Sequence, residues 1–553
     1  MKLEEKKDDE KVIATQQTDD LSTNRFWLLL ALFCVAGVIV PLLYTLYTHH
    51  IWEDFFITFR CSKNLVEGNG LVYQVGEKVH AFTSPLGVLL PALSHWAMGA
   101  QGYSSALWLF RILFCIPAFV LGGVFVMKSF REFSGQSKKT TPIILVSLFY
   151  LLDVKAVMFS MNGMETALML FFLAVSVYLM FRGISENWLW TGVAWGGLMW
   201  TRPDSCVYIA ILMLATIIFG SSPERRFRIV AILKAAVVTT ILYLPWFLWA
   251  WWYYGSPIPN TVLAKSAMMP FSIERALTSW TAHAAWAFAP AYPTFSDWPP
   301  TVALFSYAMA AFSLIYWMLP SNDKFGKTLS FIFFSLSFYF ALMPYPYPWY
   351  YPPFALTGSM VIVSGIWNLL AKVRKGVVVA TILNLIILLN IGMIFVLSTR
   401  QMKLQQSIIE TTIRRNVGLW LKENIKPDET VYLECLGYIG YFSERKMLDY
   451  PGLATPKSVD LMKKRHLDFG GLLLALQPDW AVLRPLEAKA LMKKRKFCEQ
   501  YAYVAHFSAV KLLEKAGYIP GIGYLQHDAV FIIFKRKKSI PGKKNTVMRI
   551  KLR

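Results

Sequence analysis

The sequence predicts a polytopic α-helical membrane protein that carries one small soluble α/β domain at its C-terminal end. Three observations carry that prediction. Apolar runs near bilayer-crossing length recur along the first 397 residues. Charged residues make up only 16% of the 553, against about a quarter in soluble domains. From Ser398 onward hydropathy falls, and short strand-like runs alternate with helical patterns between turn signals.

Taken in order, residues 1–25 read as a polar cytoplasmic tail and 26–47 as the first span. That run has no small-residue cleavage site behind it, so it is read as retained rather than as a signal peptide. Further spans are expected at 106–128, 141–159, 166–182, 187–202, 204–220, 229–253, 301–319, 328–343, 354–371 and 376–397. The run from Pro85 to Met98 is too short and broken to cross and reads as an interfacial or re-entrant helix. If it does not cross, four basic loops ("KSFREFSGQSKK", "SSPERRFR", "SNDKFGK" and "AKVRKG") fall on one side. The positive-inside rule then gives about eleven spans with a cytoplasmic N-terminus. The opposite face receives the first outer loop (48–105), the 254–300 loop and an α/β domain at 398–535. Residues 536–553 form a basic tail.

A formal charge of +22 would point to nucleic acid in a soluble protein. Here the basic residues serve topology and anionic headgroups, and no nucleic-acid partner is expected. Six cysteines show no CxxC or metal spacing; pairing of Cys435 with Cys498 is open.

The outer face collects the residues that carry chemistry. Glu53 and Asp54 stand where the first span ends, flanked by Trp52, Phe55 and Phe56. A solvated helix terminus is the bland account. An enclosed pair of like charges would push the two pKa values apart and prepare a base. Further along lie His80 and Thr83 in the loop, Glu165 in "SMNGMETAL", and Arg202 with Asp204 in "TRPDS", which could simply pair with each other. Asn260, Thr261 and Lys265 follow a Pro-rich turn; Lys265 is either a snorkelling anchor or a point charge for phosphate. Trp349 and Tyr350 belong to an aromatic belt or to a sugar-stacking groove. Together such groups suit transfer of a sugar from a lipid phosphate to a hydroxyl. That step needs a base for the incoming hydroxyl, a cation for the leaving phosphate, and a lipid-accessible slot.

The stretch from "EDFFITFR" through "NLVEGNGLVYQVGEKVHAFTSPLG" resembles the first outer loop of GT-C type membrane glycosyltransferases. The group containing the actinobacterial terminal arabinofuranosyltransferase is the nearest. Further matches are "GMET" at 163–166, "RPD" at 202–204, "PNTVLAK" at 259–265 and "GYIGYFSERKMLDYPGL" at 437–453. The resemblance implies a GT-C fold, a polyprenyl-phosphate sugar donor, a glycan or lipid acceptor, and inversion at the transferred carbon. It implies a multi-pass protein of a bacterial inner membrane, with its active site and C-terminal domain on the periplasmic face. The catalytic acid carries over onto Asp54 with Glu53 beside it, and neither metal nor cofactor is expected. Arg60, which closes "EDFFITFR", joins the candidate substrate-binding set. The first acidic position is Glu where the group often has Asp, so which of the two is the base stays open. Two other readings compete: a lipid-linked glycan flippase, and an O-antigen ligase or polymerase using a pyrophosphate-linked donor.

Overall fold

The structure, a computed structural model, describes residues 2–134, 140–220, 225–293, 297–344, 346–370 and 373–537, with side chains from Thr23 onward. Most of the expected basic tail, and parts of three basic loops, lie outside the described residues. Among the described residues, eight helices are long and apolar enough to cross a membrane. The count is nine if the pair Thr140–Leu152 and Val154–Met161, bent by 51°, forms one span. The chain is a multi-pass membrane protein.

The difference from eleven has a physical cause. Helix Thr166–Thr201 is interrupted by non-helical backbone at Gly183 and Asn187. Glu165 and Arg202, 37 positions apart, meet at 3.0 Å, and a Cβ on Gly197 would touch the Phe172 ring. This element is therefore a hairpin of two antiparallel arms, matching the runs at 166–182 and 187–202. Each arm falls short of the about 20 residues that cross the hydrocarbon core as a straight helix, and helix Ser205–Phe219 has only 15. Leu86–Ala97 forms a short helix of 12 residues, as the broken apolar run suggested.

The two ends of the helical body differ in chemistry. At one end Arg131 stacks on Phe26, and Phe130 and Phe181 both pack on Phe325. The described parts of the basic loops gather there. At the other end the first long helix stops at His49, whose positive φ turns the chain. Arg111, buried in a π-helical turn, then ties two loops together by donating to the carbonyls of Met161 and His50. Helix Glu53–Val66 starts at once, with Glu53 and Asp54 in its first turn, where the helix dipole favours carboxylates. Its Phe55, Phe56 and Phe59 are fully buried.

Helix Gly376–Leu404 does not stop at Ser398 but runs on through a π-helical turn (Gln405–Arg414) into helix Arg415–Asn424, entering the C-terminal domain without a linker. That domain holds five strands: β1 (Thr430–Leu433), β2 (Lys446–Asp449), β3 (Trp480–Leu483), β4 (Tyr501–Ser508) and β5 (Val530–Arg536). Their order is β2-β1-β3-β5-β4, with β1 parallel to β2 and β3, and β5 antiparallel to β3 and β4. The domain docks on the first outer loop. Tyr73 donates to the Leu436 carbonyl at 2.9 Å, Arg60 to Gly440 at 2.7 Å, and the Met447 amide to Gln74 at 2.7 Å. All six cysteines are free thiols, so Cys435 and Cys498 are unpaired.

Candidate active site

A cavity of about 260 Å³ lies at the junction of the helical body and the α/β domain. Glu53 and Asp54 open into it from the first turn of their helix, and Glu165, Arg202, Lys265, Thr83 and Trp349 stand on the same walls. These five carboxylates and cations come from four separate motifs of the sequence. Local geometry explains the convergence. The Trp52 amide donates to the Asn162 carbonyl at 3.0 Å, joining the loop before Glu53 to the one that carries Glu165. Gly163, with φ +100°, lies so close to Phe55 that a Cβ would sit 2.3 Å from its ring. Only glycine permits that approach.

The carboxylate pair is half-buried and faces the cavity. Burial raises the Glu53 pKa; Arg414 opposes this, and the neighbouring Asp54 adds to it. Burial likewise raises Asp54, against the pull of Lys265 across the cavity. The Gly437 amide donates to Glu53 Oε1 at 2.6 Å, and a Cβ on that glycine would fall 2.0 Å from the Glu53 carbonyl oxygen. Adjacent like charges resist ionising together, so both carboxyls lie above the ordinary carboxylate range. Such a pair can accept a proton from a hydroxyl.

The cations differ in how far they are committed. Arg202 is held by Glu165 at 3.0 Å and Asp204 at 2.9 Å and lies 4.0 Å above the Tyr350 ring. Lys265 pairs with no carboxylate among the described residues; its Nζ meets the Tyr350 hydroxyl at 3.1 Å and faces the Tyr347 ring at 4.8 Å. Lys265 is the cation left to meet an incoming anion. Trp52 stacks on Tyr292, and Trp349 on Tyr347, giving the cavity an aromatic side.

Five candidates stand off the cavity wall. Arg60 props the α/β domain and lies 4.5 Å over the Tyr73 ring. His80 is buried against Tyr254, and its carbonyl accepts from the Asn260 amide. Asn260 in turn donates to Gly452 and Leu453 of the α/β domain. Asp204 orients Arg202 and accepts from Tyr339, while Tyr350 backs Arg202 and Lys265 from behind. Arg414, Glu434, Arg484 and Asp528 line the cavity, yet sequence reasoning missed them. The one signal for them was a charge set among apolar strand residues, as Asp528 is before "AVFIIF". Buried Asp528 is pushed down to about 2, because Arg414 and Arg484 outweigh its desolvation. Among the described residues no three His, Cys, Asp or Glu side chains converge to hold an ion.

The geometry matches known proteins. Two crystal structures of ArnT from Cupriavidus metallidurans superpose on nearly the whole chain. The apo form gives a TM-score of 0.53 at 11% identity, covering 93% of this chain and 98% of that one. The form bound to undecaprenyl phosphate gives 0.50 at 12% identity, covering 94% and 99%. The chain has the fold of a GT-C membrane glycosyltransferase. Among curated proteins it is similar to the terminal beta-(1->2)-arabinofuranosyltransferases of Mycobacterium tuberculosis and Corynebacterium glutamicum. Identity is 25% over 238 residues for the first and 27% over 243 for the second, covering 39% of this chain in each case. The match spans about a third of those relatives' own length, 35% and 33%. A domain of unknown function, DUF8728, matches residues 401–530.

Proposed function

We propose that this GT-C protein transfers a sugar from a polyprenyl-phosphate carrier to a hydroxyl of a cell-envelope glycan or lipid. The observation that carries the reading is the meeting of a half-buried carboxylate pair and a lysine with no carboxylate partner among the described residues on the walls of one cavity. The acceptor hydroxyl gives its proton to the pair, with Asp54 as the accepting group and Glu53 keeping its own proton beside it. The hydroxyl oxygen bonds to the sugar carbon as that carbon's bond to the phosphate oxygen breaks, and the configuration inverts. Polyprenyl phosphate leaves with the bonding electrons, and Lys265 offsets its charge. Arg202, fixed by Glu165 and Asp204, shapes that end of the cavity. The names of the curated relatives and the undecaprenyl phosphate in the ArnT complex support both the transfer and the carrier. We assign the cavity to the outer, periplasmic face of a bacterial inner membrane, in keeping with the basic loops at the opposite end.

Mass spectrometry of lipid retained through purification tests the donor class. A polyprenyl monophosphate, free or glycosylated, is the expected species. A pyrophosphate-linked oligosaccharide would transfer the case to the ligase or polymerase reading.

A further inference from the structure

A second cavity, of about 380 Å³, lies in the helical body and shares no lining residue with the first. Three helices wall it, each with one apolar stripe. Phe305 and Phe312 stand two turns apart on helix Pro300–Ile315, Ile362 and Leu370 on helix Tyr351–Leu370, and Leu383 and Ile387 one turn apart on helix Gly376–Leu404. Every lining side chain is apolar, so water finds no hydrogen-bond partner there. Leu383 and Ile386 are exposed at its edge, which makes it a groove open to acyl chains. At about 1.5 Å per residue the stripes run about 12 Å, close to the hydrocarbon depth of one leaflet, about 15 Å. One end of the groove meets the basic end of the molecule. Leu370 ends its helix there, and Gly376 lies so close to the Leu370 carbonyl that a Cβ would overlap it. Arg374 and Lys375, both exposed, directly precede that glycine. Asp323, the carboxylate ahead of helix Lys324–Leu342 at this end, is buried and spent on Tyr316, Ser364 and the Gly326 amide.

We propose that this groove binds one acyl chain of an anionic phospholipid from the leaflet at the basic end, with the lipid's headgroup against Arg374 and Lys375. The chain fills the stripes by dispersion contact, and the two cations select the headgroup. A zwitterionic lipid fills the groove as well but gains nothing from its net charge. The polyprenyl carrier does not suit the site, because its phosphate belongs at Lys265, at the opposite end of the helical body. A bound chain bridges three helices, one of which, Gly376–Leu404, runs on into the α/β domain. Occupancy therefore ties that helix to the rest of the body and raises thermal stability by mass action. The inference holds whatever sugar the protein transfers, and whether or not it transfers one.

The test titrates the full-length protein in detergent with palmitoyl-oleoyl phosphatidylglycerol and, separately, with phosphatidylcholine of the same chains. Native mass spectrometry reads the retained lipid. Phosphatidylglycerol should be retained at about ten-fold lower concentration, because two basic groups act on its net charge. Arg374→Gln/Lys375→Gln, at exposed positions, should bring the two lipids level. Ala308 lines the groove from an exposed position, so Ala308→Trp should fill it. That variant should lose both the preference and the rise in melting temperature that phosphatidylglycerol gives the wild type. Its retention of undecaprenyl phosphate should match the wild type. The charge variant decides alone if Ala308→Trp fails to fold. Equal retention of the two lipids by the wild type, or an unchanged preference in either folded variant, overturns the inference. Loss of undecaprenyl phosphate from Ala308→Trp would give the groove to the carrier and overturns it too.

Discussion

At the scale of single residues, the account rests on acids and bases that the fold gathers, half-buried, on one cavity wall. Asp54→Asn should lower sugar transfer by about 10²- to 10⁴-fold, the usual contribution of a general base, while the protein still folds. Glu53→Gln should be the milder lesion in a steady-state assay, and the reverse ranking would exchange the two roles. The active form has Asp54 ionised beside a Glu53 that keeps its proton, and both pKa values are raised. Activity should therefore be lost as pH falls through a midpoint above the ordinary carboxylate range, which a kcat/KM profile reads. Lys265→Gln should cost about 10²- to 10³-fold in kcat, as loss of an electrostatic partner to the leaving group does. Glu53, Asp54 and Lys265 were legible because each stands at a helix end next to a long apolar run, where a charge needs a reason. Arg414 and Asp528 were not. One hides in an ordinary basic helix and the other precedes a strand, and only the folded chain brings them to the same wall.

At the scale of elements, sequence periodicity gave four of the five strands, since "TVYLE", "KMLDY", "DWAVLR" and "AVFIIFK" are short apolar runs between turns. It missed β4, whose "YAYVAHFS" sits at the sheet edge, pairs only with β5 and leaves most side chains partly exposed. The hairpin at 166–201 was read correctly as two arms, because "RGISEN" interrupts the apolar run, but their shortness against a bilayer could not be judged from composition. The most exacting contact between elements is at Gly437. Gly437→Ala places a methyl carbon 2.0 Å from the Glu53 carbonyl oxygen, so the start of helix Tyr438–Ser443 must move away. That variant should melt at lower temperature in detergent and lose most of its transfer activity. An unchanged melting curve with full activity would mean that this junction is looser than described.

At the scale of the whole molecule, two ends of unlike chemistry are joined by apolar helices, and the α/β domain is clamped onto the end that holds the carboxylates. The domain's role was the least legible feature. Its sequence reads as a basic soluble module, whereas its structure supplies Glu434, Arg484 and Asp528 to the cavity wall. The charge pattern predicts a fixed orientation. In a background without native cysteines, Lys463→Cys in the α/β domain should react with a membrane-impermeant maleimide on spheroplasts. Lys324→Cys, beside the basic loops, should react only after lysis. The central claim is tested most directly by a single-turnover experiment on purified protein in proteoliposomes, using as donor a short-chain polyprenyl-phosphoryl sugar whose labelled sugar is the one found on the lipid retained through purification. The account predicts one polyprenyl phosphate released per sugar transferred by the wild type, and both products formed about 10²- to 10⁴-fold more slowly by Asp54→Asn. Undiminished release and transfer by Asp54→Asn would contradict it.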